Sequence, residues 1–128
     1  MTLAHICIAL AIGTPYVFTS IAKLSKPGFT LAQNHNPRDF LGQLDGYRKR
    51  AHFAQLNSFE VVPAFCAAVL VAHQVGAAAQ STIDALAVAF VISRLVYGAF
   101  YVADWAVARS AVWFAGMGCI AALFAVSF

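Results

Sequence analysis

Four long apolar segments, each close to 20 residues, limit what this chain can fold into. They cover residues 3–22, 51–73, 83–103 and 110–126, with short turns after the second and third and one long polar loop, residues 23–50, after the first. A helix of about 20 residues is long enough to cross the hydrocarbon core of a bilayer. In lipid, a helix also satisfies its own backbone hydrogen bonds. The pattern predicts an all-α integral membrane protein, a single-domain four-helix bundle.

Composition points to the same class. Hydrophobic residues make up 62% of the chain and charged residues 10%, whereas a soluble domain has about 25% charged residues. The net charge of +3 could suggest nucleic acid as a partner, but the charges gather at segment ends rather than along one face, which argues against it. The three cysteines lie in separate segments without CxxC pairing, which indicates free thiols rather than a disulfide or a metal site. The predicted partner is the lipid bilayer.

The basic residues predict an orientation. All but one of them flank the segments on one side of the membrane: Lys23, Lys26, Arg38, Arg48, Lys49, Arg50 and Arg109. The opposite side has neither lysine nor arginine. Because positive loops stay in the cytoplasm, loop 23–50 is predicted to be cytoplasmic and both termini to lie on the non-cytoplasmic side.

The long loop has the pattern of a short surface helix. Asn36 is a typical N-cap, Pro37 suits the first helical position, and Asp39 suits the first turn. The apolar residues that follow predict a helix that lies along the membrane surface and ends at Gly46. Connections of this length in small proteins are usually functional.

Polar residues lie inside two of the apolar segments. Arg50, Asn57 and Glu60 fall within one third of the circumference of the second helix. The third helix carries Arg94, followed by Tyr97 and Tyr101. Glu60 and Arg94 each lie nine residues from the predicted cytoplasmic end of their segment, so they are at equal depth. Since neither can be solvated in lipid, we expect them to form a salt bridge.

These residues, with Arg50 and Arg109 at the mouth, predict a polar cleft that opens to the cytoplasm. One interpretation is a structural network that sets the register of the helices. The other is a pocket for a polar, anionic ligand, because arginines bind carboxylates and phosphates bidentately. The residues by themselves leave both interpretations open.

The stretch AQLNSFEVVPAF, residues 54–65, resembles the second-helix signature of the MAPEG family, membrane-associated proteins of eicosanoid and glutathione metabolism. Residues that match this family's pattern include Arg50, Asn57, Glu60 and Pro63 on the second helix, Arg94, Tyr97 and Tyr101 on the third, and Arg109-Ser110, as in the prostaglandin E synthase branch. The loop sequence NPRDFLGQLDGYRKRA is most similar to the short bacterial members, which implies a bacterial inner membrane.

The resemblance implies a homotrimer that binds glutathione in a cleft between protomers. Glutathione would be held by Arg50, Asn57, Glu60, Arg94, Tyr97 and Tyr101. Arg109, with Ser110, would be catalytic and stabilise the thiolate, which is the nucleophilic form of a thiol. The chain departs from the synthase branch at Phe53, where that branch has a second arginine, and in the first helix, where only Lys23 or Lys26 is near the position of the branch's arginine.

Two functions from different classes follow. The first is a membrane-bound glutathione-dependent transferase or peroxidase that acts on lipophilic electrophiles. The second is a non-catalytic trimeric membrane protein whose polar cleft is structural or binds lipid.

Overall fold

The computed structural model describes all 128 residues as a bundle of four long helices and one short one. The α-helices are α1 Leu3–Leu24, α2 Pro37–Gly42, α3 Gly46–Val75, α4 Gln80–Val102 and α5 Ala106–Ala125, and a 3₁₀ helix covers Gln33–His35 in the loop before α2. All except α2 are long and apolar enough to cross a membrane. The prediction of an all-α chain with four such helices is therefore confirmed.

Local sequence explains several of the helix ends. The Thr2 hydroxyl and the His5 side chain form a capping box at the start of α1. Gly76, at φ +68°, ends α3 in the left-handed conformation that glycine adopts readily. Pro37 lies in the first turn of α2, as predicted. The predicted end of α2 at Gly46 is wrong, because α2 ends at Gly42 and Gly46, at φ +58°, begins α3 after a short turn.

The four long helices run up and down, so that their ends meet in two groups. At one end, which we call the basic end, α1 and α4 finish while α3 and α5 begin, and it carries every lysine and arginine except Arg94. At the opposite end, the backbone N–H of Ala4 donates to Asp84 Oδ1 at 2.8 Å, which ties α1 to α4.

The core fills the centre of the bundle and the end away from the basic residues. The rings of Phe65 on α3 and Phe90 on α4 stack at 4.0 Å between centroids within a cluster of 15 buried hydrophobic residues. α5 is the least buried of the long helices and turns only Gly116, Ile120 and Leu123 into the core. Most of its surface is therefore open to lipid or to another chain.

α1 and α4 approach each other closely at Gly98. A Cβ atom at this position would overlap the buried ring of Phe18. Gly98→Ala should therefore destabilise the fold by about 1–3 kcal/mol, although alanine is the better helix former. The measurement is reversible unfolding in detergent.

Gly13→Ala is the matched control, since a Cβ there meets no atom within 4 Å. We expect it to be neutral or stabilising. Phe18→Leu should recover part of the stability lost in Gly98→Ala. Equal effects of the two alanine substitutions would contradict the close contact.

Candidate functional site

A cleft of about 320 Å³ opens between α3, α4 and α5 near the basic end. Seven residues line it: Asn57, Tyr97, Tyr101, Arg109, Ser110, Trp113 and Phe114. Five of them, all but Trp113 and Phe114, are residues that the sequence singled out for binding or catalysis. The helices thus bring polar groups from three separate segments to one surface.

Arg109 supplies the positive charge of the cleft. It lies in the first turn of α5, and its guanidinium carbon is 4.2 Å from the centre of the Tyr101 ring, a cation–π contact. Tyr101 packs edge-on against Tyr97 at 5.6 Å between centroids. No carboxylate lies within salt-bridge distance of Arg109, since Arg50 and Asp104 form the only ion pair in the chain. Its charge is therefore free to attract an anion.

Arg94 lies behind the cleft rather than in it. Its side chain is buried, with 1% exposure. Nη2 donates to Asn57 Oδ1 at 2.9 Å and to Ser58 Oγ at 3.3 Å, and the guanidinium lies 4.2 Å from the Tyr97 ring centre. Arg94 thereby holds Asn57 and Tyr97, two lining residues, in place.

The predicted salt bridge between Glu60 and Arg94 is wrong. Glu60 lies on the exposed side of α3 and accepts a hydrogen bond from Asn57 Nδ2 at 3.2 Å. Ser58, which contacts Arg94, belongs to the buried stripe of α3. Glu60 comes two residues later, about 200° further around the helix, so equal depth does not bring its carboxylate to Arg94.

Arg50 is also outside the cleft. Its Nε and Nη2 both donate to the carbonyl of Val102 at 3.1 Å, and Nη1 lies 3.9 Å from Asp104 Oδ2. This arginine therefore satisfies a carbonyl at the end of α4, where helices leave such groups without partners.

Neither lysine near the end of α1 lines the cleft. Lys23 Nζ lies 4.5 Å from the Phe29 ring centre, and Lys26 lines a different cleft. The exposed ring of Phe53 lies 6.4 Å from that of Tyr101, between centroids.

Sequence reasoning missed the apolar wall formed by Trp113 and Phe114. Trp113 follows Arg109 by four residues, a spacing that places both on one face of α5, so this signal was available. The role of Ser58 as a second acceptor for Arg94 had no comparable signal.

The cleft combines donors for an anionic, polar molecule with an apolar wall. The amide of Asn57, the two phenols and the Arg109 guanidinium can bind carboxylates or a thiolate. Ser110 Oγ donates to the Ala106 carbonyl at 3.1 Å, which leaves its lone pairs free to accept a hydrogen bond. No group of three or more His, Cys, Asp or Glu side chains in the chain could hold a metal ion.

Double-mutant cycles can distinguish the observed contact of Arg94 with Asn57 from the salt bridge with Glu60 that equal depth predicted. Asn57→Ala and Arg94→Met should show a coupling of about 0.5–3 kcal/mol in unfolding free energy, because the two side chains share a partly buried hydrogen bond. Glu60→Gln and Arg94→Met should be close to additive, because no salt bridge joins these two side chains. Stronger coupling in the second cycle than in the first would contradict this arrangement.

The family model of the MAPEG family matches residues 3–128, nearly the whole chain. Searches with this chain found no matching curated protein and no matching solved structure. The match extends over all four long apolar helices, which supports an integral membrane protein. The chain belongs to the MAPEG family.

Proposed function

We propose that this protein is a membrane-bound transferase or peroxidase that uses glutathione against lipophilic electrophiles. Membership of the MAPEG family fits a glutathione-related function in the membrane in general. The observation that carries the more specific proposal is the convergence of Asn57, Tyr97, Tyr101, Arg109 and Ser110 on one cleft.

The cleft has the groups that such a reaction needs. Asn57 and the two tyrosines donate hydrogen bonds to the carboxylates of the tripeptide. Arg109 stabilises the thiolate electrostatically, and the thiol proton passes to water, because a guanidinium cannot act as a base. In transfer to an aryl halide, the thiolate sulfur forms a bond to the ring carbon and the halide leaves with its bonding electrons. Trp113 and Phe114, the latter 67% exposed, present an apolar surface to the electrophile.

The exposed side of α3 favours assembly with other copies. Glu60 lies there among the exposed side chains of Phe53, Leu56 and Phe59. A carboxylate that faces lipid costs several kcal/mol. In a homotrimer, neighbouring protomers would cover this surface, and Glu60 would be available to the amine of a glutathione bound between protomers. The positive-inside pattern favours a binding site on the cytoplasmic side.

Glu60→Gln tests this arrangement. The substitution should weaken glutathione binding about tenfold or more, since a hydrogen bond to a charged group contributes about 1.5–3 kcal/mol. The trimer should persist. Calorimetric titration in mild detergent measures affinity, and light scattering measures the mass of the protein in the complex. Asp39→Asn, an equal charge change at an exposed position of α2, is the control and should leave affinity unchanged. A stable monomer, or an unaltered affinity in Glu60→Gln, would contradict the proposal.

Arg109→Lys tests catalysis. Lysine keeps the charge but loses the planar guanidinium that stacks on Tyr101. We expect turnover of a chromogenic aryl halide to fall about tenfold or more, a change of about 1.4 kcal/mol in the barrier. Glutathione binding should persist, and the ultraviolet absorbance of the bound thiolate should decrease.

Arg38→Lys is the matched control, because Arg38 is exposed at the basic end and lies away from the cleft. It should leave turnover unchanged. Equal turnover in Arg109→Lys and wild type would contradict a catalytic role and would mean that Arg109 only anchors the start of α5.

A non-catalytic trimer is the second candidate function. The contacts that favour it are those of Arg50 and Arg94, which are directed to protein groups rather than into the cleft. If wild-type protein shows no thiolate absorbance with glutathione and no turnover of several electrophiles, this second function replaces the first.

A further inference from the structure

A second cleft lies at the basic end, under the loop between α1 and α3. Its volume is about 410 Å³, and it shares no lining residue with the cleft between α3, α4 and α5. The polar side chains that line it are Lys26, Gln33, Gln43, Asp45 and Arg48. All except Asp45 can donate hydrogen bonds.

Arg48 is the unusual member of this group. It is only 8% exposed, and Nε donates to the Ala22 carbonyl at 2.9 Å. Nη2 is buried and has no hydrogen-bond partner in the protein. A buried cationic donor without an acceptor is unfavourable. The protein supplies no acceptor for Arg48 Nη2, so a bound ligand that supplies one would stabilise this side chain.

The charges of the lining favour an anion as the acceptor for Arg48. Lys26 adds a second positive charge to the lining, and its side chain has no ion-pair partner. Asp45, the one carboxylate of the lining, lies beyond salt-bridge distance of both cations. Two cations, two amides and one carboxylate therefore line the space, and neither cation is paired with the carboxylate.

The surroundings place this cleft at the level of lipid headgroups. Leu24, at the end of α1, and Leu31, on the loop, are 78% and 90% exposed. In a protein whose four long helices cross the membrane, exposed leucines beside basic residues suit the boundary between acyl chains and headgroups.

We propose that the cleft under the loop binds a phosphate group, either that of a phospholipid headgroup or free inorganic phosphate. The phosphate oxygens accept hydrogen bonds from Arg48 Nη2 and from Lys26, with the glutamines as further donors. Arg48 thereby links the bound anion to the Ala22 carbonyl at the end of α1. This site is independent of glutathione binding.

Binding to the purified full-length protein in a neutral detergent tests the proposal. The three probes are short-chain phosphatidylglycerol, inorganic phosphate, and the matching diacylglycerol, which lacks phosphate. Affinity is measured by calorimetry, and lipid adducts are counted by native mass spectrometry. We expect Lys26→Gln and Arg48→Gln to weaken phospholipid binding at least tenfold. Arg38→Gln removes an equal charge at the same end without lining the cleft, and it should retain the wild-type affinity.

Each outcome decides the question. Phospholipid binding that depends on Lys26 supports a headgroup site, whereas equally strong binding of inorganic phosphate identifies the free anion as the occupant. Lys26 is exposed and makes no hydrogen bond, so Lys26→Gln tests the site even if Arg48→Gln fails to fold. Equal binding of diacylglycerol, an equal loss in Arg38→Gln, or no binding of any phosphate probe would overturn the proposal.

Discussion

The burial of one guanidinium among apolar helices is the constraint on which the site depends. Arg94 lies in the interior of the bundle, where a charge is tolerated only with acceptors in contact. Asn57 and Ser58, both on α3, supply acceptors for Nη2, while Nε is buried without a hydrogen-bond partner. The contact sets the position of α3 against α4, and Asn57 consequently lies beside Tyr97 at the inner wall of the cleft. The hydrogen-bond network around Arg94 and the lining of the cleft therefore share Asn57 and Tyr97, so the two interpretations of the sequence are not exclusive.

Arginines at the basic end show how one residue type serves two purposes. Arg48 and Arg50 each donate to a backbone carbonyl near the end of a helix, where a cation also interacts favourably with the helix dipole. Arg109 instead lies at the start of α5, where its charge gains nothing from the dipole. It stacks on Tyr101 and faces the cleft without a counterion. This difference in position separates arginines that cap a helix end from one whose charge faces the cleft.

The shallow packing of α5 affects how molecules can reach the cleft beside it. Because α5 buries only a few residues, the cleft is bounded by a helix whose outer face is open to the bilayer or to another chain. Trp113 and Phe114 lie on this helix beside Arg109. A lipophilic molecule can thus approach from the hydrocarbon phase while a polar one enters at the basic end.

The sequence by itself determined the four helices, the start of α2 at Pro37 and most of the polar lining of the cleft. These features depend on segment length, local capping and spacing along a single helix, all of which are properties of neighbouring residues. Only the tertiary structure decided that Arg94 binds Asn57 and Ser58 rather than Glu60, and that Arg50 caps α4. Depth in the membrane follows from residue number, but contact between two helices depends also on how each is rotated about its axis. That rotation is set by packing of the whole bundle, which no single segment encodes.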